Sequence, residues 1–109
     1  MLTTPGEAQF SALIDEVDGR PTVLCRGEID LSTAGALIWA IRQVTAAGQP
    51  VRIDLAATTF MDSAGLKALL QAQTDQHRAG EVVTLSAPSP AVRRVLEMAG
   101  VIDDFAIEA

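Results

Sequence analysis

The chain has 109 residues, of which 49% are hydrophobic and only 4% aromatic, so it reads as one domain with a core of short aliphatic side chains and no room for a second core. Its formal net charge of −6 and eight scattered basic residues exclude the clustered Lys and Arg of a nucleic-acid surface. No apolar run approaches the ~20 residues that cross a bilayer, and Met1-Leu2-Thr3-Thr4-Pro5-Gly6 lacks a signal-peptide layout, so the expectation is a cytoplasmic protein that binds neither membrane nor nucleic acid.

In chain order, Phe10 to Val17 and Thr22 to Ile29 read as two strands, with Asp18-Gly19 supplying the turn of an antiparallel hairpin. Asp30-Leu31-Ser32-Thr33 offers cap residues for a first helix, in which Ala34, Leu37, Ile38, Ile41 and Val44 share one face until Gly48-Gln49-Pro50 stops it. Trp39 falls opposite that stripe, beside Gln43. It is either an exposed aromatic available to a partner or a ring folded over a neighbouring loop. Val51 to Leu55 predicts a third strand, and Leu66, Leu69 and Leu70 mark a second helix over 63–78. Glu81 to Ser86 predicts a fourth strand. Ser89-Pro90 opens a third helix with Val92, Val95, Leu96 and Ala99 inward and Gly100 at its stop. Asp103 to Ile107 predicts a short last strand. The order implies a mixed sheet of four or five strands with an N-terminal hairpin, parallel crossovers and three or more helices, all in one α/β domain over 1–109 with its core at about 8–107.

The chemistry-bearing residues are few. Cys25 is the only cysteine and His77 the only histidine; an inert buried thiol and a helix-end imidazole are the readings these positions favour. Ser63 is not in a Gly-x-Ser-x-Gly elbow, and His77 lies about 20 Å along the same helix, at ~1.5 Å per residue, which excludes a Ser–His pair within the chain. No glycine-rich phosphate loop is present. No catalytic residue, cofactor or resident metal is therefore expected.

Phe60-Met61-Asp62-Ser63-Ala64-Gly65-Leu66 is the most informative segment. It places Ser63 at a strand-to-helix boundary, where its oxygen is expected to accept a helical N–H as a cap. A phosphate there adds about −1.5 to −2 charges beside Asp62, in the positive end field of a helix. Glu28, Asp30 and Asp62 are expected to gather as an acidic rim, able to bind a cation weakly, to aid partner recognition and to repel the added phosphate. Gly65 is expected to let a partner backbone approach the serine.

Three segments, Gly27-Glu28-Ile29-Asp30-Leu31-Ser32-Thr33-Ala34, the heptad from Phe60, and Pro90-Ala91-Val92-Arg93-Arg94-Val95-Leu96-Glu97, together resemble the bacterial STAS-domain anti-sigma factor antagonists over nearly the whole chain. The resemblance implies that Ser63 is phosphorylated by an anti-sigma factor that is itself a serine kinase. The unphosphorylated protein would bind that kinase and release a sigma factor, and a metal-dependent serine phosphatase would restore binding. It also implies a contact surface around Ser63 that includes Glu28, Asp30 and Ser32. Ala64 stands where relatives often have a second serine, which leaves one acceptor; Lys67 replaces a small residue and bears on which kinase is matched. The expected state is a monomer or a weak dimer. Two alternatives remain: a non-switching adaptor subunit of an ABC-type lipid-transport complex, in which the serine only caps its helix, and a nucleotide-binding or hydrolytic enzyme suggested by the acidic rim.

Overall fold

A computed structural model describes residues 10–109. Strands β1 (Phe10–Val17) and β2 (Arg20–Ile29) are followed by helix α1 (Ala34–Ala46), β3 (Arg52–Met61), α2 (Ser63–Arg78), β4 (Thr84–Ser86), α3 (Pro90–Met98), a 3-10 turn over Ile102–Asp104 and β5 (Ala106–Glu108). The five strands lie in the order β1-β2-β3-β4-β5. β1 pairs antiparallel with β2, and β2, β3, β4 and β5 pair in parallel. The expected fold class is the observed one. The Asp18-Gly19 turn holds both residues at positive φ, 54° and 75°, the conformation whose twist suits a two-residue hairpin.

One buried cluster joins the sheet to the three helices. Val23, Cys25 and Ile29 of β2, Ile53, Leu55 and Met61 of β3 and Leu85 of β4 meet Leu37 and Ile41 of α1, Leu69 of α2 and Val92 and Leu96 of α3. Each fully buried aliphatic side chain removes enough apolar surface from water to contribute about 1.5–3 kcal/mol, which is how a chain with so few aromatics holds its helices on one sheet face. Cys25 lies within that cluster, and burial first, then the Asp54 charge, push its thiol up to about 12. It is inert at neutral pH, as expected from its setting.

Strand boundaries differ from those expected, and three of the differences have a local physical reason. β3 runs on to Met61 because its pairing with β2 skips twice, between Leu24/Arg26 and between Gly27/Glu28; the irregularities break the apolar alternation after Leu55 without ending the strand. β4 begins only at Thr84, because the Glu81 N–H donates to the Gln76 carbonyl and the Val83 N–H to Gln73 Oε1, which ties the preceding residues to α2 and not to β3. Asp103 and Asp104 lie in the 3-10 turn, and buried Phe105 precedes β5, which runs over Ala106–Glu108 and not from Asp103. Ala99, expected inside, caps α3 and is exposed.

The opposite sheet face carries no helix among the described residues, and a carboxylate on the β5 edge is tied across it to β2 and β3. Glu108 of β5 accepts from Arg20 Nη1 at 2.6 Å and from Arg52 Nε at 2.9 Å, with Arg52 only 14% exposed. The Arg20 hydrogen bond first, then the Arg20 and Arg52 charges, hold the Glu108 carboxyl below its ordinary 4.5. A carboxyl whose folded-state pKa is depressed contributes stability above its unfolded-state pKa and loses it as pH falls through the folded-state value. Glu108→Gln is therefore expected to be less stable than the parent at pH 7, with the gap closing as pH drops below about 4.5; urea midpoints of both proteins across that range measure it, and a pH-independent gap would exclude the ionic tie.

Candidate functional site

β2 and β3 end side by side, since Ile29 pairs with Met61 and the Asp62 N–H continues the pairing to the Ile29 carbonyl at 3.2 Å. That register brings the turn after β2 and the start of α2 to the same sheet edge. Within the turn, Asp30 Oδ1 accepts from the Ser32 N–H at 2.9 Å, the Ser32 hydroxyl at 2.7 Å and the Thr33 N–H at 3.2 Å. Thr33 closes it from the other side, its Oγ1 donating to the Glu28 carbonyl at 2.8 Å and accepting from the Asp30 N–H at 2.8 Å. The Ser32 hydroxyl first, then the turn's other donors, hold the Asp30 carboxyl below its ordinary range against the opposing effect of desolvation. This is the local side-chain-to-backbone bonding for which Asp, Ser and Thr favour turns.

At the start of α2, the cap is Asp62 and not Ser63. Asp62 is extended, with φ −109° and ψ −167°, and its Oδ1 accepts from the Ala64 N–H at 2.8 Å and the Gly65 N–H at 3.3 Å. Ser63 is the first helical residue. Two adjacent residues can each cap a helix, and the one left in extended backbone takes the role. The consequence is chemical: Ser63 is exposed, and its hydroxyl makes no hydrogen bond with another described residue.

Gly65 has a different role from the one its position suggested. It is buried, and a Cβ there would lie 2.5 Å from Met61 Cγ and 2.8 Å from Ile29 Cγ2. The missing side chain lets α2 sit on the ends of β2 and β3; it opens no path for a partner. The acidic rim is also divided. Asp30 and Asp62 each have one carboxylate oxygen, Oδ1, engaged by the turn and the cap, while Glu28, opposite Phe60, alternates with core-facing Ile29 and so projects from the other sheet face. Among the described residues, no group of three or more His, Cys, Asp or Glu side chains is placed to hold a metal ion.

The sequence reading overlooked Leu31. The bonded turn presents it 85% exposed, between two shallow depressions that share Ala64 and Lys67 as walls. One, of about 450 Å³, opens beside Ser63 and is closed by Leu66 and Leu70. The other, of about 340 Å³, runs between α1 and α2 past Gly35, Ile38 and Gln71. A leucine inside an otherwise polar strand-to-helix turn was the available signal. Trp39 is 62% exposed, which excludes the folded-down ring, but it lines neither depression. His77 lies in the last turn of α2, with Arg78. The structure thus gathers Asp30, Ser32, Asp62, Ser63, Ala64 and Lys67 around Leu31, buries Gly65 beneath them, and leaves Trp39 outside the depressions.

Comparison with known proteins identifies the family and the fold. The family model described as "Mlab, STAS domain" matches residues 12–107. A crystal structure of an anti-sigma factor antagonist from Mycobacterium paratuberculosis is 33% identical, with a TM-score of 0.82 over 98% of this chain and 90% of that one. An anti-sigma-factor antagonist (STAS) domain protein from Planctomyces limnophilus is 16% identical, with a TM-score of 0.72 over 90% of this chain and 89% of that one. The Bacillus cell fate determinant SpoIIAA in its phosphorylated form is 21% identical, with a TM-score of 0.66 over 91% and 92%. The latter two likenesses concern the fold. A comparison with curated protein sequences finds no match. The family model spans the hairpin, all three crossovers and the Asp62-Ser63 junction, and the chain belongs to the STAS-domain family.

Proposed function

We propose that this protein is a bacterial, cytoplasmic anti-sigma factor antagonist: a binding module, not an enzyme, that switches partners by modification of Ser63. Unphosphorylated, it binds a serine-kinase anti-sigma factor and thereby releases a sigma factor; phosphorylated, it lets go, and a metal-dependent serine phosphatase resets it. In the modification the Ser63 oxygen bonds to the γ-phosphorus of ATP, the bond to ADP breaks, and the hydroxyl proton passes to a base of the kinase. The observation that carries the reading is an exposed Ser63 hydroxyl, without a hydrogen-bond partner among the described residues, beside the exposed Leu31, in a chain 33% identical to an anti-sigma factor antagonist along nearly its whole length.

The energetics favour a switch that acts on the contact and not on the fold. Ser63 lies outside the core, so an added phosphate displaces no packing. In a contact surface, by contrast, a dianion must be stripped of water, and a loss of ~3 kcal/mol weakens binding more than a hundredfold. Capture from native cells with wild-type, Ser63→Ala and Ser63→Glu baits tests this. Ser63→Ala is expected to retain an ATP-binding kinase and Ser63→Glu to lose it, with phosphate mapped to Ser63 on the wild type; equal retention by both baits would count against the switch.

One observation favours keeping the adaptor reading beside it, since the family model carries the name Mlab and not that of an antagonist. In that case Ser63 has no regulatory role. Stable co-purification with a transporter ATPase, unchanged by Ser63→Glu, distinguishes the two.

A further inference from the structure

Resting on the switch reading above, we infer that Lys67 is an intrachain clamp for the phosphate on Ser63, drawing it down over the depression beside Leu31. The need for a clamp follows from the cap. Asp62 already takes the Ala64 and Gly65 N–H groups, the donors that would otherwise receive an anion at this helix end. Asp62 is also a like charge next to the phosphate. Stabilisation of the modified state must then come from a side chain, and α2 offers few, since its other basic residues, His77 and Arg78, lie in the last turn.

Lys67 has the placement. It follows Ser63 by four residues, so the two share one helix face with Cβ atoms about 6 Å apart, and anion before cation is the favoured order of an i,i+4 pair. Both are exposed and both line the 450 Å³ depression. Lys67 makes no salt bridge with another described residue, and Asp75 further along α2 is engaged by Gln71.

The clamp also says how a phosphate that leaves the fold alone can close a binding site. Paired with Lys67, it lies across a hollow whose walls are Leu31, Ala64, Leu66 and Leu70. An ion pair then occupies the place where an apolar partner side chain would be buried. A chain with a small residue at 67 would leave the phosphate at the rim.

The test uses the full chain with phosphoserine installed at 63 during synthesis, so that no kinase is required, in wild-type, Lys67→Gln and Lys67→Arg backgrounds. Phosphorus NMR follows the second ionisation of the phosphate, which lies near pH ~6. The neighbouring carboxylates are Asp62, which caps the same helix, and Asp30 in the turn alongside, with Glu28 projecting from the other sheet face; all three are the same in the three proteins. Lys67→Gln is expected to titrate about 0.3 unit higher than wild type, and Lys67→Arg to return to the wild-type value. Superimposable titrations of wild type and Lys67→Gln would overturn the clamp. The same samples separate it from the switch: a phosphoprotein whose titration depends on Lys67 but which still captures the kinase would keep the clamp and remove the switch.

Discussion

Gly65→Val is expected to cost about 3 kcal/mol of folding stability and to lower the thermal midpoint by about 10–20 °C. The reason is confined to three residues. A Cβ at 65 would stand 2.5 Å from Met61 Cγ and 2.8 Å from Ile29 Cγ2, both distances at which something must move. Met61 is unbranched and can turn aside; Ile29 is fully buried and β-branched, with few rotamers open to it. Valine adds two more carbons to a junction with no space for the first. Gly65→Ala is expected to be milder, because alanine gains about 1 kcal/mol of helix propensity over glycine against the displacement of Met61. Gly35, on the exposed face of α1 with open space where its Cβ would be, supplies the control: Gly35→Ala is expected to stabilise by about 0.5–1 kcal/mol. Circular dichroism melts of the four proteins give the order Gly35→Ala, parent, Gly65→Ala, Gly65→Val. A Gly65→Val protein melting within about 2 °C of the parent would mean that α2 does not sit where this packing puts it.

What could be read from the residues alone divides along physical lines. Turn and cap chemistry acts over three or four residues, so Asp18-Gly19 and Ser89-Pro90 announce a hairpin and a helix start that the structure contains. Alternating apolar residues announce a strand only while its pairing is regular; after Leu55 the two shifts against β2 hide the strand's continuation to Met61. Gln73 and Gln76 look like surface residues of a polar helix, yet each places its Oε1 on a strand-side N–H, of Val83 and Val51, and nothing local to the helix predicts a contact fixed by tertiary packing. At the site, the serine was legible but its freedom was not. Asp62 and Ser63 are both capping residues, and which of them caps depends on where β3 lets go of β2. Gly65 was legible as a required glycine, for the wrong neighbour: the atoms that exclude a side chain belong to Met61 and Ile29 and not to a partner. Leu31 was passed over because an exposed leucine is common in isolation. Only the two depressions on either side give it meaning.

Leu31→Asp is expected to weaken binding to the kinase partner by about a hundredfold or more while leaving the thermal midpoint within about 2 °C of the parent. At 85% exposure the side chain contributes almost nothing to the core, so its removal has little to act on in the free protein. Its backbone, by contrast, is fixed. Asp30 and Thr33 bond across the turn from both sides, so a partner that buries Leu31 meets a side chain already held in place and loses little entropy in ordering it. An aspartate there would bring a third carboxylate to a turn beside Asp30 and Asp62, and burying it without a counterion is the costliest change available at this surface. Leu31→Ala removes the contact without adding charge and is expected to lose about tenfold. Calorimetric titration against the kinase recovered on the Ser63→Ala bait measures both. If Leu31→Asp binds as tightly as the parent, the partner does not dock on the face that carries Ser63, and a phosphate on that serine would have no contact to break.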